Sequence, residues 1–106
     1  MDPKGILDAA AARITDRGVN YGGIEQNFER AAALATLKLD KHISAYEVAI
    51  ILESVKDARR ATSPDHYDSH IDGINYRAFA LMLSEAKPEV PTTREMVSML
   101  NEMGDK

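Results

Sequence analysis

The chain contains no cysteine and no tryptophan, and only 6% of its residues are aromatic. Without cysteine there can be no disulfide and no thiolate metal site. No apolar run reaches the roughly 20 residues of a membrane-spanning helix, so no membrane partner is expected. The start, Met1-Asp2-Pro3-Lys4-Gly5, lacks a basic region followed by an apolar stretch, so no signal peptide is expected and a cytoplasmic location is the simplest expectation. Positive charge is also scarce: 13 Lys and Arg against 17 Asp and Glu leave a net charge of −4. Proteins that coat nucleic acid carry a basic face. Here only residues 56–60 are locally basic, and Asp57 interrupts them. Nucleic acid is disfavoured as a main partner, whereas a small phosphorylated ligand needs only a few cations.

What the chain does contain is helix signal. Its 106 residues suit one domain, and 44% are hydrophobic. Asp2 can cap a first helix with Pro3 at its first position, and Ile6, Leu7, Ala10 and Ile14 then recur at helical spacing. Gly18 and Gly22-Gly23 mark a loop. A second helix carries Ile24, Phe28, Ala31 and Ala35 on one face. Ser44 and Glu47 form a Ser-x-x-Glu capping box at the start of a third helix, with Ile43 and Val48 placed as a hydrophobic staple. Val48, Ile51, Leu52 and Val55 are expected as its buried stripe. A fourth helix starts either at Ser63-Pro64 or near Ser69 and runs to about Ala86, with Ile71, Ile74, Ala78, Leu81 and Met82 apolar. Pro88 and Pro91 break the chain. Thr92 and Glu95 offer another capping box, followed by a helix rich in methionine. The predicted architecture is all-α: a compact bundle of four helices over 1–87, then a C-terminal amphipathic helix over 88–106 that docks on the bundle or on another subunit.

The segment 65–76 concentrates chemistry. Asp65, Asp68 and Asp72, with His66 and His70, follow closely on Lys56, Arg59 and Arg60. Asp68 and Asp72 share a helix face, and with Glu47 they form a candidate Mg2+ set, since that ion takes a few carboxylates, water and phosphate oxygens. Acidic residues in a first turn also simply oppose the helix dipole. Arg59 falls in line with Val48, Leu52 and Val55, which puts a guanidinium in the expected buried stripe. An unpaired charge there would cost on the order of several kcal/mol, and Asp72 is its expected partner. That pair is either a structural contact or a phosphate grip, with Lys56 as a second cation. His66 and His70 have the i, i+4 spacing of a metal pair but no third ligand, so loop positions are expected for them. Asn75, on the apolar face, must find a partner across the bundle or on a ligand.

Ile6-Leu7-Asp8-Ala9-Ala10, Asp16-Arg17, Tyr21-Gly22, Asn27-Phe28-Glu29-Arg30, Glu47-Val48-Ala49, Lys56-x-Ala58-Arg59 and Asp68-x-x-x-Asp72-x-x-x-Tyr76 occur in that order. The pattern resembles a family of small phage and prophage proteins of unknown function over about residues 6–83. That family is similar to phage nucleotide-modification-associated domains and, distantly, to the all-α MazG-type nucleotide pyrophosphohydrolases. The resemblance implies a phage protein of the host cytoplasm that binds, and in the fuller form hydrolyses, a nucleotide with Mg2+. Carried to this sequence, Asp68, Asp72 and Glu47 would hold Mg2+, Lys56 and Arg59 the phosphates, and Tyr21, Asn27 and Tyr76 the base or sugar. None of the carboxylate pairs reproduces the Glu-x-x-Glu motif of the pyrophosphohydrolases, so turnover stays open. The alternative expectation is a non-catalytic interaction module that binds or inhibits a host protein. Homo-oligomer formation fits either.

Overall fold

The computed structural model describes residues 1–21, 23–84 and 93–104, without the side chains of 17–21, 93, 95, 96, 99, 103 and 104. The chain is all-α, as expected, with no strand among the described residues. Four long helices, α1 (Pro3–Tyr21), α2 (Ile24–Leu39), α3 (Ala45–Thr62) and α4 (Tyr67–Met82), precede a shorter α5 (Thr93–Gly104). Helices α3 and α4 form the central hairpin. Helix α2 packs mainly on α3 and helix α1 on α4. The predicted break at Pro88 and Pro91, and the second capping box at Thr92 and Glu95, lie outside the described residues and side chains.

The helix boundaries follow local chemistry. Asp2 Oδ1 accepts the Gly5 N–H at 2.7 Å, capping α1 as the sequence implies. At α3 both halves of the capping box form: Ser44 Oγ accepts the Glu47 N–H at 3.0 Å, and Glu47 Oε1 accepts the Ser44 N–H at 2.9 Å. The α2–α3 turn has a second lock. The Thr36 hydroxyl accepts the Ile43 N–H at 2.9 Å and donates to the Ile43 carbonyl at 3.2 Å, and Ile43 is buried. Helix α4 begins at Tyr67, close to the second expected point, Ser69, and not at Ser63-Pro64. Ser63 ends α3, its N–H donating to the Arg59 carbonyl, and His66 caps α4 by accepting the Ser69 N–H. Nδ1 of His66 also contacts the buried Ser69 hydroxyl at 2.8 Å. With Nδ1 as the acceptor of the Ser69 N–H, the hydroxyl is placed to donate to the same nitrogen. The second histidine, His70, contacts the Pro64 carbonyl at 2.6 Å, which closes the same turn.

The core is small and centred on α3 and α4. Ala49 is fully buried, Ala80 nearly so, and Phe28 of α2 packs against them with Leu52, Tyr76 and Phe79 alongside. Two alanines let the helices approach closely, and this sets the rotation of α3. Its inward line runs through Ala49 and Lys56, seven residues and so two turns apart. Two residues of the expected stripe are therefore turned out: Ile51 is 53% and Val55 57% exposed. The apolar face expected for α4 is corrected in the same way. Ile71 is buried, but Ala78 and Leu81 are exposed, and the inward positions belong to Ser69, Asp72, Asn75 and Ala80. A wheel gives the width of an apolar stripe, not which edge faces the neighbour.

Helix α2 ends on Asp40 in the left-handed region, at φ 52 and ψ 44, with its N–H on the Thr36 carbonyl. A Cβ there is strained, though less for Asp than for most residues. Asp40→Gly is expected to raise unfolding stability by about 0.5 kcal/mol, measured by urea titration.

Candidate functional site

Asp72 stands at the centre of the candidate site. It lies in the second turn of α4, where α1 and α3 both reach it. Arg13 Nη1 of α1 donates to Asp72 Oδ1 at 3.1 Å, and Lys56 Nζ of α3 donates to Oδ2 at 3.1 Å. The other arm of the Arg13 fork, Nη2, meets Asp68 Oδ1 at 3.2 Å, so one guanidinium spans two carboxylates a helical turn apart. The Asp72 side chain is 11% exposed, while Arg13 and Lys56 each keep 28%. Partial burial of Arg13 acts to lower its pKa, but hydrogen bonds to Asp72 and Asp68 and their charges outweigh it and raise the pKa above its ordinary value. Next to this cluster, buried Asn75 donates through Nδ2 to the Ala10 carbonyl at 3.1 Å. Two polar residues of α4 thus hold α1 in place.

Asp72 and Asn75 also form one wall of a cavity of about 280 Å³. Its apolar lining comes from Ile14, Ile24, Phe28, Val48, Leu52, Tyr76 and Phe79, so all four long helices contribute. The three rings meet edge to face, with centroids 5.6 to 6.4 Å apart. Asn27 and Ala31 stand on the exposed side of α2 and line the same cavity. The Tyr76 hydroxyl makes no hydrogen bond among the described residues, although its ring is half-buried in the cavity wall.

Of the residues expected to share a site, the structure gathers Asp68, Asp72, Lys56, Asn27 and Tyr76 around this cluster and its cavity. Arg59 is corrected. It is exposed near the C-terminal end of α3, and Arg13 occupies the place expected for it beside Asp72. The Tyr21 side chain lies outside the described residues. Glu47 is engaged in the capping box, nine residues before Lys56 and so about 13 Å away along α3. The proposed Mg2+ ligands do not fit the ion as a set: Asp68 and Asp72 both carry Arg13, and Glu47 sits turns away. Among the described residues no group of three His, Asp or Glu side chains could hold a metal. Arg13 was missed because its neighbours, Ala9 to Ile14, read only as an apolar first helix. A lone arginine next to Ile14 was the available signal.

A family model described as a domain of unknown function (DUF6378) matches residues 5–84, which takes in α2, α3, α4 and all but the first two residues of α1, and stops short of α5. No curated protein and no solved structure matches the chain.

Asp72→Asn leaves two partly buried cations without their shared counter-charge. It is expected to lower stability by about 2 kcal/mol, less than for a fully buried pair because both cations keep some water, as read from urea unfolding. The capping carboxylate gives a pH test. Hydrogen bonds from the Ser44 backbone and hydroxyl, against an opposing effect of desolvation and with lesser help from the charges of His42 and Lys41, hold the Glu47 pKa below the usual carboxylate range. A depressed folded-state pKa adds stability above the unfolded value and loses it as pH falls through the folded value. Glu47→Gln should therefore make the acid limb of the stability profile shallower, with little change in slope near neutral pH.

Proposed function

We propose that this chain, which belongs to the DUF6378 family, binds a nucleotide in the cavity between its four long helices. The base would lie against Phe28, Tyr76 and Phe79, with the Tyr76 hydroxyl and the Asn27 amide at its polar edges. The phosphates would extend toward Lys56 and Arg13, the cations on Asp72, and toward Arg59 one turn further along α3. The observation that carries this reading is the half-buried Tyr76 ring in the cavity wall, its hydroxyl without a hydrogen-bond partner among the described residues. A mostly apolar concave site with a few polar groups is the usual form of a small-molecule site. Its volume is near the lower end for such sites, about 300 Å³, which suits a base better than a whole triphosphate. The reading is of binding; no hydrolytic step is drawn through Asp68, Asp72 and Glu47. The alternative, an interaction module, draws on a different observation, the exposed apolar side chains of α2 and α3.

Isothermal calorimetry with nucleosides, nucleoside monophosphates and triphosphates tests the proposal. Saturable binding is expected, with triphosphate tighter than nucleoside. Tyr76→Phe keeps the ring and removes only the hydroxyl, so it should weaken binding roughly tenfold at unchanged melting temperature. Lys56→Met should reduce the difference between triphosphate and nucleoside. Absence of heat with every ligand at millimolar concentration would sink the reading.

A further inference from the structure

Asn75 is a polar residue buried in the wall of the cavity. It is 5% exposed, and it lines the cavity with Asp72, which precedes it by one turn on the same face of α4. Its carboxamide has two ends, and the fold commits one of them. Nδ2 donates to the Ala10 carbonyl of α1 at 3.1 Å. A backbone carbonyl only accepts, so the nitrogen must stand there, and the amide cannot be turned over without breaking the contact. The oxygen leaves the same carbon in another direction and so points away from that carbonyl.

Oδ1 of Asn75 makes no hydrogen bond among the described residues. Nor is it sealed in, because no fully buried side-chain nitrogen or oxygen among the described residues lacks a partner. A molecule the size of water therefore reaches this oxygen, and the space that Asn75 borders is the cavity. An acceptor fixed in a mostly apolar cavity is satisfied by what enters it. Asp72 adds its carboxylate to the same wall, whereas the cations bound to it, Arg13 and Lys56, stand outside the lining. The α4 side of the cavity thus presents acceptors and negative charge, and it is complementary to hydrogen-bond donors.

Nucleobases differ at their edges in this respect. A base carbonyl facing Oδ1 would set two acceptors against each other. The ring N–H of uracil or thymine donates, but it lies between two carbonyls, one of which would be brought toward the Asp72 carboxylate. An exocyclic amine brings N–H donors alone. We propose that Asn75 is a specificity-determining residue of the cavity and selects a nucleobase with an exocyclic amine, whose N–H donates to Oδ1. The proposal rests on the nucleotide reading above and names the class of base. One amide then has two tasks: its nitrogen holds α1 and its oxygen reads the ligand.

Calorimetry on the full chain with matched nucleoside monophosphates tests this. Adenosine against purine riboside, guanosine against inosine, and cytidine against its amine-free pyrimidinone analogue each differ by an amine replaced by hydrogen. For a base that the cavity admits, the amine is expected to tighten binding on the order of 30-fold, since its loss leaves Oδ1 unpaired. Asn75→Ala with helicity retained should bring that ratio close to one. Should the variant not fold, the Asn75 side-chain amide resonance of the isotope-labelled wild type reports instead. A larger shift with the amine-bearing member supports the assignment, and an equal shift overturns it. Equal affinity within every pair that binds overturns the proposal and leaves the nucleotide reading standing. So does tightest binding of uridine or thymidine monophosphate. A ratio that persists in folded Asn75→Ala overturns the assignment to Asn75. Absence of binding by all of these nucleotides overturns the nucleotide reading and this proposal together.

Discussion

The carboxylate of Asp72 is the contact on which the arrangement of helices depends. One oxygen takes Arg13 from α1 and the other takes Lys56 from α3, while the residue itself belongs to α4. The apolar core unites α2, α3 and α4 through Phe28, Ala49 and Ala80. It contributes little to α1, whose buried residue among those described is the small Ala10. Helix α1 is held instead by polar contacts, the Arg13 fork on Asp68 and Asp72 and the Asn75 amide on the Ala10 carbonyl. Such contacts are directional and costly to leave half-made. They fix the position of α1 where a few alanines would permit sliding. The cavity exists because α1 is held there, with Ile14 one residue beyond Arg13 closing one side.

Much of this fold could be read from the sequence where the cause was local. The capping box at Ser44 and Glu47, the Asp2 cap and the five helices depend on residues within a turn of one another, so spacing alone reveals them. Long-range pairing could not be read this way. Arg59 and Arg13 both sit beside apolar residues, and the helical wheel favours Arg59 because it falls in line with Val48, Leu52 and Val55. The two alanines at the α3–α4 contact let the helices close up with Lys56 turned to Asp72, and Arg59 is left exposed. Arg13 is 59 residues from Asp72, and no local pattern connects them. His66 as the cap of α4 escaped notice for another reason. Histidine is not among the favoured cap residues, and it serves here because its Nδ1 also meets the buried Ser69 hydroxyl.

The candidate site was legible in its residue types more than in its geometry. Lys56, Asp68, Asp72, Asn27 and Tyr76 do come together, but the carboxylates are committed to cations and not arranged around a vacant metal position. Spacing alone cannot make this distinction. Carboxylates four apart present the same face to a metal ion or to an arginine fork. What decides is the charge that the neighbouring helix brings, and here α1 brings a guanidinium.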